Sequence, residues 1–104
     1  MGRVFLYAEY QVSIPFDQID WAPINAQMLK FPGLRSKTWL SGINTHSVGG
    51  FYEFDSREQA QRYVEEMLLP FAAKVHGSLA VRMFDAEATR TASMGMNSPY
   101  YREG

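Results

Sequence analysis

The segment RVFLYAEYQV, Arg3 to Val12, reads as a β-strand that is apolar on both of its faces. Val4, Leu6, Ala8 and Tyr10 fall on one side, and Phe5 and Tyr7 on the other. The last strand-like segment, SLAVRMFDA, repeats the pattern, with Leu79, Val81 and Met83 set against Ala80 and Phe84. An antiparallel sheet with one wet face alternates apolar and polar residues along each strand. These strands do not, so both faces of the sheet need cover.

The chain has helices for only one face. SIPFD breaks the first strand, because proline donates nothing to a ladder. Asp20 or Trp21 then caps a helix that carries Pro23 in its first turn and Ile24, Met28 and Phe31 at helical spacing. Pro32-Gly33 ends it. LRSKTWLSGI and VGGFYEFD form a hairpin around the turn NTHS. Ser56 and Gln59 make a capping box for a second helix, with Ala60, Tyr63, Val64, Met67, Leu68 and Phe71 on one stripe. Pro70 is expected to kink or restart that helix, and Gly77 closes it. The order β-α-β-β-α-β predicts an α+β, ferredoxin-like fold: a four-stranded antiparallel sheet with two helices on one face. A second copy, sheet against sheet, is the economical cover for the other face, so a homodimer is expected. At ~25 cal/mol per Å², leaving those side chains wet forgoes several kcal/mol, comparable with the whole stability of a small domain. The domain is expected to span residues 1–86. The tail, 87–104, lacks a helical or strand period, and Met94, Met96, Tyr100 and Tyr101 are its candidate anchors on the domain or on a partner subunit.

With 104 residues there is room for one domain. The absence of cysteine excludes disulfides, thiolate metal sites and a cysteine nucleophile. A net charge of −1 with intermixed signs leaves no electrostatic footprint for nucleic acid. No apolar run approaches the ~20 residues that span a bilayer, so no membrane partner is expected. The opening MGRVFLYAEY is strand-like rather than a signal sequence, and Leu6 stands where a myristoylation motif wants serine or threonine, which predicts a cytoplasmic protein.

Two glycines, Gly49 and Gly50, precede the aromatic run of the third strand. A tight turn at Thr45-His46 sets Trp39 opposite Tyr52, Lys37 opposite Phe54 and Ser41 opposite Gly50. Directly opposed residues share a face, so Trp39, Tyr52 and Phe54 line one side with a gap at Gly50. That gap either receives a planar, mostly apolar small molecule or allows a backbone to approach closely. Tyr7, Asn25, Trp39, Gly50, Tyr52 and Tyr63 are therefore the candidate ligand-binding residues. Arg82, flanked by Val81 and Met83, either pairs with Glu9 on the neighbouring strand or meets a ligand oxygen. His46 in the hairpin turn has an unperturbed pKa of about 6.5, suited to a general base, and is otherwise a solvated turn residue. Arg82 and His46 are the candidate catalytic groups. His76, ahead of Gly77, reads as a cation at a helix C-terminus. Neither histidine has a partner at metal-ligand spacing, and no dinucleotide or phosphate-binding glycine pattern is present, so neither metal nor cofactor is expected.

PGLRSKTW after the first helix, VGGFYEFDSREQAQRYV through the third strand, and AVRMFDA in the last strand resemble YdhR-like proteins. These are small members of the dimeric α+β barrel superfamily that also contains antibiotic-biosynthesis monooxygenases. The resemblance covers roughly residues 3–86, with P-G-x-x-x-K-x-W and the glycine-glycine-aromatic strand as its motifs. It implies a dimeric α+β barrel with a cavity in each subunit and, in the oxygenase branch, oxidation of an electron-rich aromatic without metal or flavin. Over its whole length the chain is also similar to the small ferredoxin-like proteins of prodigiosin-type tripyrrole pigment pathways. That likeness implies an accessory role in the bipyrrole-aldehyde branch; the tail and Pro70 depart from the YdhR pattern. The expected function is binding of a planar aromatic or pyrrolic metabolite of secondary metabolism, with either a cofactor-independent monooxygenase-type step or a non-catalytic carrier role.

Overall fold

The computed structural model describes residues 2–12, 15–75 and 77–101. Four antiparallel strands, β1 (Val4–Gln11), β2 (Leu34–Ser41), β3 (Ser47–Phe54) and β4 (Ser78–Asp85), form one sheet in the order β2-β3-β1-β4. With α1 (Trp21–Met28) between β1 and β2, and α2 (Arg57–Tyr63) leading on to α3 (Leu69–Val75) between β3 and β4, this is the expected ferredoxin-like α+β arrangement. Among the described residues no helix is long and apolar enough to cross a membrane.

Strand pleating sorts the side chains. Val4, Leu6, Ala8 and Tyr10 of β1 lie beside Phe54, Tyr52, Gly50 and Val48 of β3 and face the helices. Leu79, Val81 and Met83 of β4 share that face. Ala60, Tyr63, Val64, Leu68 and Ala72 close the core from above. α1 packs more loosely, burying only Met28 fully.

The second helical segment begins at its cap: the Ser56 hydroxyl accepts from the Gln59 amide at 3.3 Å. It does not break at Pro70. Instead the helix widens into a π turn over Val64–Leu68, where the Leu69 amide bonds back to the Val64 carbonyl, and then resumes as α3. One wide turn takes up the misfit next to a residue with no amide hydrogen to give. It also re-aims Met67 and Leu68 relative to the stripe that a continuous α-helix would present.

The hairpin register differs from the expected one. Trp39 pairs with Gly50, Lys37 with Tyr52 and Ser41 with Val48, each two residues away from the partner that a turn at Thr45-His46 would set. The loop is centred earlier, closed by the Gly42 amide on the Ser47 carbonyl at 2.9 Å, with Asn44 and His46 both at positive φ. A slip of two residues preserves strand parity, so the assignment of side chains to faces survives it.

The tail is also more regular than its sequence suggests. It forms a short helix, α4 (Arg90–Met94), and a 3-10 turn, Pro99–Tyr101, and it folds back on the sheet face opposite the helices. Tyr100 sits 5.4 Å from both Phe5 and Phe51, ring to ring, and the buried Tyr101 donates to the Ala86 carbonyl at 2.6 Å. Arg3 fastens this end, donating to the Tyr100 carbonyl and pairing with Glu53 and Glu87. Hydrogen bonds from Arg90 and Arg3 hold the Glu87 carboxyl down to about 2. Met94 and Met96, expected as anchors, are exposed, whereas Tyr100 and Tyr101 pack against aromatic partners.

Gly49 and Gly50 answer two different needs. A β-carbon on Gly49 would run into the Ala8 carbonyl of β1, so that glycine lets two strands close up. One on Gly50 would meet Lys37 Cε at 2.7 Å and the Tyr52 ring at 2.9 Å, so the room beside Gly50 is filled by the protein's own side chains. Gly49→Ala is expected to destabilise the fold by about 1–3 kcal/mol or more through backbone overpacking. Gly95→Ala, whose nearest new contact is 3.4 Å away, should fall within ~0.5 kcal/mol of wild type. Urea denaturation giving equal midpoints for the two variants would contradict this.

Candidate functional site

A cavity of about 340 Å³ lies between the helix face of the sheet and the helical segments. That is at the lower end of the ~300–1,000 Å³ range of small-molecule pockets. β2 and β3 supply its floor with Lys37, Trp39, Val48, Gly49 and Tyr52; Tyr63, Met67 and Phe71 form the roof, and Ile24, Gln27 and Met28 the α1 side.

Trp39 is fixed in place. Its indole N–H donates to Asn25 Oδ1 at 2.9 Å, and its ring leans on Phe16 with centroids 5.4 Å apart. Asn25 thus acts on the cavity through Trp39 and does not itself line it. Tyr52 and Tyr63 pack at a tilt with centroids 5.0 Å apart, backed by Phe54 and Phe31 at 5.2 and 5.1 Å from Tyr63. Burial raises the pKa of the Tyr10, Tyr52 and Tyr63 hydroxyls, so all three stay protonated donors across the physiological range. Tyr10 donates to the Leu68 carbonyl at 3.1 Å. The Tyr63 hydroxyl is buried without a hydrogen-bond partner of normal geometry, although it and the Tyr52 hydroxyl perturb one another.

Lys37 is the residue that sequence reasoning passed over as a functional group. Two positions before Trp39 on the same strand, it must share Trp39's inward face. Its stem runs through the space that Gly50 leaves, and its Nζ sits 3.3 Å from the Trp39 ring centroid and 4.9 Å from that of Tyr52. Met28 Sδ, a weak acceptor, is 3.5 Å away. No salt bridge to Lys37 occurs among the described residues. Burial without a counter-charge pushes the amine down from 10.5 to about 7. The parity of Lys37 and Trp39 was the signal that could have found it.

The other candidates lie elsewhere. Tyr7 and Arg82 are register partners on the opposite face of the sheet, where Tyr7 donates to Glu9 at 2.5 Å and Arg82 is exposed. Glu9, expected as the partner of Arg82, is instead drawn to Tyr7 and Ser47, hydrogen bonds that lower its pKa. Pleating explains the separation: residues 7 and 82 have the opposite parity to the inward set of their strands. His46 is exposed in the β2–β3 loop, outside the cavity lining, and Gly50 lies beneath Lys37 rather than on the cavity wall. His76 is outside the described residues.

The family described as "Putative mono-oxygenase ydhR" matches residues 10–95, most of the chain and every residue that lines the cavity. No curated protein matches it.

The buried amine makes a signed prediction about stability. Between pH 7 and 10.5 the unfolded chain holds a proton at Lys37 that the folded chain lacks, so this group's contribution to stability rises with pH across that window. Its full penalty is present below pH 7. Lys37→Met is therefore expected to gain roughly 1–4 kcal/mol over wild type at pH 6 and little at pH 10. Urea midpoints of the two proteins compared at both pH values check this, and a gap that does not change with pH would contradict it.

Proposed function

The chain belongs to the ydhR family, and from that premise we propose that its helix-side cavity binds a planar aromatic or pyrrolic metabolite of secondary metabolism and supports a monooxygenase-type step on it. The observation that carries this reading is the cavity itself: about 340 Å³ walled by Trp39, Tyr52 and Tyr63, with protonated phenols as its polar handles. Flat rings suit such walls through offset and edge contacts, and the hydroxyls orient a ligand oxygen. The step balances without an added reductant when the substrate supplies the electrons. A phenol plus O2 gives a quinone plus water, one oxygen atom entering the ring and the other leaving as water. Antibiotic and prodigiosin-type pigment pathways are rich in such electron-rich rings.

The protein is proposed to act as a homodimer through the open sheet face. The tail packs on Phe5 and Phe51 of that face, while Phe84, the register partner of Phe5 on β4, remains 48% exposed. At the sequence level the shortage of helix remains the reason for a second copy.

A carrier or accessory role is the second reading. It is favoured by one observation: Arg82 and His46, the groups expected to do acid–base work, are outside the cavity lining.

Titrating 1-naphthol against tryptophan fluorescence is expected to give saturable quenching, weakened at least tenfold in Trp39→Ala, with Trp21 left as reporter. Oxygen uptake in step with product marks the enzyme, and binding without uptake marks the carrier. Absence of saturable binding would overturn both. Light scattering of the same samples should give twice the 11.9 kDa chain mass, and a stable monomer at micromolar concentration would remove the dimer.

A further inference from the structure

Lys37 lies on the cavity floor with an amine that pairs with no carboxylate among the described residues. The titratable groups that line the cavity with it are Tyr10 from β1, Tyr52 from β3, Tyr63 from α2, Glu66 from the π turn and Lys74 from α3. The three tyrosines remain protonated, and Glu66, exposed, is taken by Arg62 at 3.2 Å. None of these shifts Lys37; burial alone does. A cation over the face of Trp39 is favoured electrostatically by the ring, but a buried ammonium without a counter-ion remains costly. The cavity therefore lacks one component that a ligand can bring. The Tyr63 hydroxyl, buried in the same lining beside the Tyr52 hydroxyl but in no hydrogen bond of normal geometry among the described residues, is a second sign of the same vacancy in the polar pattern.

We propose that the cavity selects a planar ligand bearing an acidic hydroxyl, a phenol or an enolised ring ketone, and that the Lys37 amine receives that proton and holds the ligand as its anion. This rests on the reading of the cavity as the binding site and narrows its ligand class. The ligand O–H bond breaks, its electron pair stays on oxygen, and the proton joins the nitrogen lone pair. Nothing is oxidised or reduced, and no proton is exchanged with solvent when the amine enters neutral. The ammonium then has Trp39 on one side and the ligand oxyanion as its counter-charge, and the Tyr63 hydroxyl is free to donate to that oxygen. In an oxygenase the anion is also the form that gives up electrons most readily to O2. In a carrier it is the form that the cavity retains.

The probe is 4-nitrophenol, whose phenolate is yellow and whose phenol is not, with 4-nitroanisole as the isostere that has no proton to give. Wild type is expected to bind 4-nitrophenol as phenolate, with the apparent pKa of the bound probe lowered by about 1–3 units. Lys37→Met should abolish that lowering and cost about tenfold or more in affinity for 4-nitrophenol, a loss several times larger than the one it causes for 4-nitroanisole. If both probes bind wild type alike and the bound phenol titrates as it does in water, the proton-acceptor role is overturned while the cavity remains a binding site. If neither probe binds, the cavity reading falls and takes this one with it. The wild-type titration decides the question without the variant.

Discussion

An amine held on an apolar floor, 3.3 Å over an indole and without a carboxylate, is the constraint around which this site is organised. The pleat allows no escape: with Trp39 inward, Lys37 two residues earlier is inward as well. Gly50 makes that tolerable. Any side chain there would occupy the volume of Lys37 Cε and the edge of Tyr52. A glycine on one strand, a lysine on its neighbour and two aromatic faces thus form a single device, and the cavity opens above it. An amine brought down to about 7 is available as a proton acceptor near neutral pH, and in a partly buried setting its interactions are stronger than at the surface.

The two faces of the sheet divide the labour. The helix face carries the cavity, and the wide π turn sets Glu66, Met67 and Leu68 over it. The open face is occupied in part by the chain's own C-terminal turn, where Tyr100 packs against Phe5 and Phe51, Tyr101 meets Phe5 edge-on, and Arg3 ties strand to tail. Tyr7, Glu9 and Arg82 also belong to the open face. The cavity residues and the open-face residues are thus separate sets, joined through the sheet between them.

How much of this the sequence revealed depended on whether the signal was local. The element order was legible because each junction has its own chemistry: the Ser56 cap, the Pro32-Gly33 stop and the glycines of the third strand. Trp39, Tyr52 and Tyr63 were legible as cavity walls because alternation and helical spacing place them inward. The hairpin register was not, because Asn44 and His46, both at positive φ, centre the loop one residue earlier than a turn at Thr45-His46. Tyr7 and Arg82 were grouped with the cavity on composition, whereas strand parity puts them behind it. The tail's order was invisible because it rests on tertiary stacking between residues nearly the whole chain apart. Lys37 was legible in principle, by the same parity that placed Trp39, and was overlooked because lysine in a strand is usually a solvated residue.

The central claim is that burial brings the Lys37 amine down to titrate near neutral pH. The direct measurement is an NMR titration of protein labelled at lysine Cε, with Lys37→Met used to assign the resonance. The account predicts a Lys37 midpoint of about 7. A midpoint at the ordinary lysine value of 10.5 would contradict it, because the amine would then be charged and either solvated or paired.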